Sequence, residues 1–124
     1  MTLAIRLQHS PGYWFLDDVS VVGGGVEKLT NGGFETGSLA PWVRSTPNGA
    51  CGGTAASVTT TSGSGIGGAP KTGTHYLVDG SMTCADQISQ SFMAVQATIY
   101  NITFWLKSAT LTGPGPIFAQ VTIG

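Results

Sequence analysis

Apolar and polar residues alternate at the start of the chain, with Leu3, Ile5 and Leu7 on one side and Ala4, Arg6 and Gln8 on the other. That period of two predicts a half-buried β-strand over residues 2–8. A His9-Ser10-Pro11-Gly12 turn leads to a second strand, YWFLDDVSVV, which Gly23-Gly24-Gly25 ends, so the pair reads as a β-hairpin. A short segment over Val26 to Leu29 runs into NGGFETGSLAPW, where Asn31-Gly32-Gly33 and Thr36-Gly37-Ser38 are turn clusters around Phe34 and Glu35. Trp42, directly after Pro41, reads as a plug that closes one end of a core.

Residues 45–74 are mostly Gly, Ser, Thr, Ala and Pro, with Val58 and Ile66 as the large aliphatics, which predicts a long loop holding one short strand near Ala55 to Thr60. Order resumes in HYLVDG, ADQISQSFMAV, TIYNITFWLKSA and PIFAQVTI, each short, β-branched or aromatic, and bounded by turn residues. In the third of these, Tyr100, Ile102, Phe104 and Leu106 share a core-facing side, while Asn101, Thr103, Trp105 and Lys107 share the other. About seven or eight strands result, and no segment has helical periodicity, so the fold class is all-β, a two-sheet sandwich of the jelly-roll kind.

Composition narrows the function. The chain has 124 residues, of which 41% are hydrophobic and 9% charged, with a net charge of -1. One compact domain fits that length, and the apolar fraction supports a core. No basic surface exists to neutralise a phosphate backbone, so nucleic acid is not expected as a partner. No apolar run reaches the roughly 20 residues of a membrane span, and no signal peptide is visible.

Cys51 and Cys84 have no metal-ligand neighbours, which leaves one disulfide or two free thiols; a disulfide would close the low-complexity loop and implies an oxidising, extracellular or cell-surface setting. Asn101-Ile102-Thr103 is an N-glycosylation sequon. A glycan on Asn101 would crowd Trp105 on the same strand face. Gly63-Ser64-Gly65-Ile66-Gly67-Gly68 has the spacing of a phosphate loop but lacks the preceding buried strand, and Pro70 stands before Lys71. His9 and His75 have no partner motif for nucleophilic catalysis, and no G-x-S-x-G elbow occurs.

The segments NGGFETGSLAPW, QISQSF, YNITFWLKS and YWFLDDVSV resemble the carbohydrate-binding modules of families four, nine and twenty-two, which are galactose-binding-like jelly rolls. In those modules an N-G-x-F-E segment opens the domain and an L-D-D-V-S strand closes it. Here the closing strand comes first. Residues 1–25 thus read as the closing hairpin and residues 26–124 as the opening and central strands of one unit, either a circular permutation or a piece of a tandem array short of a strand or two. The uncovered sheet edge this leaves is an expected site of self-association.

The resemblance implies a structural calcium held by Asp17 and Glu35, with Asp18 as the substitute if the register slips, and calcium suits such an oxygen site. It implies a non-catalytic carbohydrate-binding or adhesion module, of the type that can accompany a glycoside hydrolase. The alternative is a ligand-free structural repeat of a larger extracellular protein, stabilised by calcium and the disulfide. Trp105, Trp14 and Tyr76 are the expected stacking platforms for a sugar, with Gln87 and Lys107 as polar contacts.

Overall fold

The structure is a computed structural model that describes residues 1–60, 68–109, 113 and 115–124. The glycine-rich stretch with phosphate-loop spacing lies, apart from Gly68, outside the described residues. Among those described there is no helix, and the strands are β1 (Thr2–His9), β2 (Trp14–Gly23), β3 (Val26–Glu27), β4 (Val43–Ser45), β5 (Gly53–Thr60), β6 (His75–Ser81), β7 (Asp86–Ser91), β8 (Tyr100–Ser108) and β9 (Ile117–Ile123). They form two antiparallel sheets that face each other as a β-sandwich. One has the order β4-β7-β1-β9; in the other β2 is central, with β8 on one side and β6 and β3 on the other, and β5 beyond β6.

The strand pattern follows from the alternation in the sequence. Leu3, Ile5 and Leu7 are buried and pair with Gln90, Ile88 and Asp86 of β7 on one side. They face Ile123, Val121 and Ala119 of β9 on the other. β1 is therefore a central strand whose backbone is used on both sides. β2 has no edge of β1 to join and crosses to the other sheet, so the expected β1–β2 hairpin is replaced by a sheet-to-sheet connection.

The main core lies between the sheets and includes Leu3, Ile5, Leu16, Val21, Phe34 and Leu77. Trp42 is buried in it as anticipated, 6.0 Å from the Phe34 ring, and its indole N–H donates to the Asn31 carbonyl at 3.0 Å. A second cluster, Phe15, Tyr76 and Val78 with Tyr13 and Trp105 against it, lies on the outward face of the β2 sheet. Alternation along β2 and β6 explains the split, because Phe15 faces Val78 across the pair while Leu16 faces Leu77 on the opposite side.

Two irregularities shape the sandwich. β5 shifts register between Thr54 and Ser57 where it pairs β6, and β2 shifts between Asp17 and Ser20 where it pairs β8. A shift of this kind leaves backbone groups without a ladder partner. At the first, Asp86 of the opposite sheet accepts the Ala56 N–H at 2.9 Å and Arg44 Nε at 2.7 Å. At the second, Asp18 takes a positive φ of 50° and Val19 turns its N–H to the carbonyl of Gly32.

Cys51 and Cys84 are joined by a disulfide across a sequence separation of 33. A loop of that size restricts the denatured chain by ~4 kcal/mol in the loop-entropy account. The bridge fits an oxidising, extracellular location. No helix long and apolar enough to cross a membrane occurs among the described residues.

Candidate functional site

The LDDV strand and the NGGFE turn meet at one corner. The Asn31-Gly32-Gly33-Phe34 turn is set by positive φ at Asn31 (57°) and Phe34 (58°), which drops Phe34 into the core and leaves Glu35 facing out. Asn31 fastens the turn by donating Nδ2 to the carbonyls of Ser38 and Ala40 at 2.8 and 3.0 Å. A Cβ built on Gly33 would lie 3.5 Å from Asp18 Oδ1, 3.7 Å from Glu35 Cγ and 3.9 Å from Asp17 Oδ1. The expected trio Asp17, Asp18 and Glu35 is thus brought around a single glycine.

What these acids hold in the structure is the segment 71–75. Asp17 is fully buried; its Oδ2 accepts the N–H groups of Lys71 and Thr72 at 2.8 and 3.3 Å, and its Oδ1 accepts Asp18 N–H. Asp18 accepts the Thr72 hydroxyl at 2.7 Å. Glu35 accepts the N–H groups of Thr74 and His75 at 3.0 Å each, and His75 Nδ1 stands 3.3 Å from it.

The electrostatics differ accordingly. Burial pushes the Asp17 carboxyl above its usual range, against the pull of its backbone N–H donors. Glu35, exposed and bonded to the His75 and Thr74 N–H groups, is held down at about 2. An oxygen-only donor set suits a hard cation. In this arrangement those oxygens accept N–H and O–H donors of 71–75, and among the described residues no three His, Cys, Asp or Glu side chains are grouped closely enough to hold a metal ion.

The expected sugar contacts are spread over three surfaces. Trp14 faces inward, its indole N–H donating to the carbonyls of Gln8 and Phe118 at 2.9 and 3.1 Å, with the buried His9 ring edge-on at 5.4 Å. Tyr76 has no exposed surface and packs edge-on against Phe15 at 5.7 Å, so it offers no ring face to a ligand. Trp105, half-buried against Phe15, Tyr76 and Val78, shares the outward face of β8 with the exposed Lys107 and the exposed Asn101 of the sequon. Gln87 lies on the outward face of the other sheet.

That other face carries a cluster with no counterpart in the sequence reading. Arg6 and Gln87 are paired positions on β1 and β7, and Arg6 Nε donates to Gln87 Oε1 at 2.7 Å while Gln87 Nε2 donates to Ser45 Oγ at 3.2 Å. Gln8 and Phe118 are paired positions on β1 and β9. Beside them a shallow cavity of about 320 Å³ is lined by Arg6, Gln8, Asn48, Cys84 and Phe118. Among the described residues, the terminal guanidinium nitrogens of Arg6 and the amide of Asn48 form no hydrogen bond within the protein.

A larger groove of about 670 Å³ runs along β3, β4 and β7, and two of its polar side chains, Gln90 and Glu27, are committed to the fold. Gln90 pairs with the backbone of Thr30, and Glu27 accepts the N–H groups of Val21 and Leu29. The signal for the smaller cavity was present in the sequence, since Arg6 and Gln8 alternate with buried leucines and Phe118, Gln120 and Thr122 alternate in the last strand. Which strands would lie side by side was not. No family model, curated protein or solved structure matches the chain.

Proposed function

We propose that this chain is a non-catalytic carbohydrate-binding module, built on a jelly-roll-like sandwich, that takes its ligand on the outward face of the β4-β7-β1-β9 sheet. The supporting observation is the cavity in which the partly exposed ring of Phe118 stands with the guanidinium of Arg6 and the amides of Gln8 and Asn48. An aromatic ring packs on the apolar face of a pyranose, and planar amide and guanidinium groups pair with its hydroxyls. Gln87 stands beside this cavity and orients Arg6 by accepting its Nε–H at 2.7 Å. The Trp105 and Lys107 pair on the other sheet is the competing platform.

Isothermal titration against a panel of oligosaccharides tests the reading. Heat with at least one glycan, lost in Phe118→Ala and Arg6→Ala but kept in Trp105→Ala, supports it. Heat that disappears only in Trp105→Ala moves the site to the other sheet.

The acid corner favours one second reading, a ligand-free structural unit. Asp17, Asp18 and Glu35 tie the opening turn to 71–75, and calcium is the cation their oxygens would take. A melting temperature that rises with calcium and falls with chelator, with no heat from any sugar, supports that reading over the first.

A further inference from the structure

On the glycan face proposed above, on which this inference rests, the distribution of charge specifies the class of sugar. The chain has six Asp and Glu side chains, and each is engaged away from the cavity. Asp17, Asp18 and Glu35 hold the segment 71–75. Glu27 accepts the Ser20 hydroxyl and the N–H groups of Val21 and Leu29. Asp79 accepts the Ser81 hydroxyl on the inner side of β6. Asp86, the one acid on a strand of the β4-β7-β1-β9 sheet, is buried on its inner side and accepts Arg44 Nε at 2.7 Å. The two arginines therefore differ: Arg44 has a carboxylate partner and, among the described residues, Arg6 has none.

Arg6 is also the one charged side chain that these four strands direct outward. Gln87 and Gln120 flank it in register, and the adjoining row is Ser89, Ala4 and Thr122. Arg44, in register with the buried Ile88, belongs to the inner side. The orientation of the Arg6 guanidinium is set, because Gln87 accepts its Nε–H and is itself tied to Ser45 Oγ at 3.2 Å. A guanidinium carries five N–H donors in one rigid plane, so four remain, on the two terminal nitrogens. Two of these run parallel off the end of the plane, the fork that a carboxylate accepts with both oxygens.

We propose that the ligand is an acidic glycan and that the unit recognised is a uronic acid. Its carboxylate pairs with the terminal nitrogens of Arg6, its hydroxyls meet the amides of Gln8 and Asn48, and the apolar face of its ring packs on Phe118. Gln8 gives one Nε2 hydrogen to the Met82 carbonyl at 2.9 Å, which leaves its Oε1 to accept a sugar hydroxyl. A neutral sugar would offer Arg6 only hydroxyl oxygens in place of water. A carboxylate adds bonds that are charge-assisted and about twice as strong, and no acid of the protein stands in the cavity to repel it.

Isothermal titration of the whole chain tests this with oligomers of galacturonate, glucuronate and mannuronate, each beside the same oligomer after carboxyl reduction to the neutral hexose. At least one acidic oligomer is expected to bind on the order of 10- to 100-fold more tightly than its reduced form, with the margin shrinking as salt rises. Arg6→Gln should erase the margin, and Arg6→Lys, which keeps the charge without the fork, should retain part of it. Both variants alter an outward position, and circular dichroism matching the parent confirms their fold. Acidic and reduced oligomers that bind alike, both lost in Phe118→Ala, would leave the glycan face standing and overturn the acidic class. A margin that survives Arg6→Gln, or binding of a sulfated galactan where no uronate binds, also overturns it. No heat with any oligomer, acidic or neutral, overturns the glycan face and this inference together.

Discussion

Val19 donates its N–H to the carbonyl of Gly32 at 3.0 Å, and the Val19 carbonyl oxygen lies so close to Gly32 that a Cβ on that glycine would overlap it. This contact ties the LDDV strand to the NGGFE turn. Gly32→Ala is expected to destabilise the fold by ~1–3 kcal/mol, since the obstacle is backbone rather than a side chain that can turn away. A urea unfolding midpoint unchanged from the parent would show that the two segments are not locked in this way.

Asp79 is buried on the inner side of β6, held by the Ser81 hydroxyl at 2.7 Å, and burial raises its carboxyl to about 6. A folded pKa above the unfolded value means that the native state binds the proton more tightly. Stability from this group is therefore greatest below the unfolded pKa and declines as pH rises through about 6. Asp79→Asn should stabilise the protein at neutral pH by on the order of 1–3 kcal/mol and flatten the stability profile between about pH 4 and 6. Thermal melts across that interval read the difference, and a variant with the parent's slope would place the charge elsewhere.

Glu35 works in the opposite sense. Its folded pKa, about 2, lies below the unfolded value, so the stability it contributes is present above pH 4.5 and is lost as pH falls toward 2. Glu35→Gln is expected to lower the melting temperature at neutral pH and to melt with a shallower pH dependence between about pH 2 and 4.5 than the parent. Equal acid sensitivity in both proteins would mean that the Thr74 and His75 N–H groups do not depend on this carboxylate.

Much of the fold is legible in the sequence because side-chain alternation is a local property. The strands at 2–9 and 100–108 fall where period-two patterning puts them, and Trp42 is the core plug that its place after Pro41 implies. The meeting of Asp17, Asp18 and Glu35 around Gly33 has no local signature, because it is set by the long-range contact of Val19 with Gly32. Pairing partners are less visible. Nothing in residues 2–23 states that both edges of β1 are taken by β7 and β9, which is why a local turn reads as a hairpin when the chain in fact changes sheets. Tyr76 illustrates a second limit. An aromatic on an outward-facing position reads as exposed, but the segment starting at Gly68 covers it, and a Cβ on Gly68 would stand 2.7 Å from its hydroxyl.

The most direct test of the proposed glycan face is a two-dimensional amide NMR titration of the whole chain with the oligosaccharide that gives the largest calorimetric signal. Saturable shifts confined to the amides around Arg6, Gln8, Asn48, Gln87 and Phe118 are the expected result. Shifts that gather instead around Trp105 and Lys107, or spectra that no sugar perturbs, would contradict it.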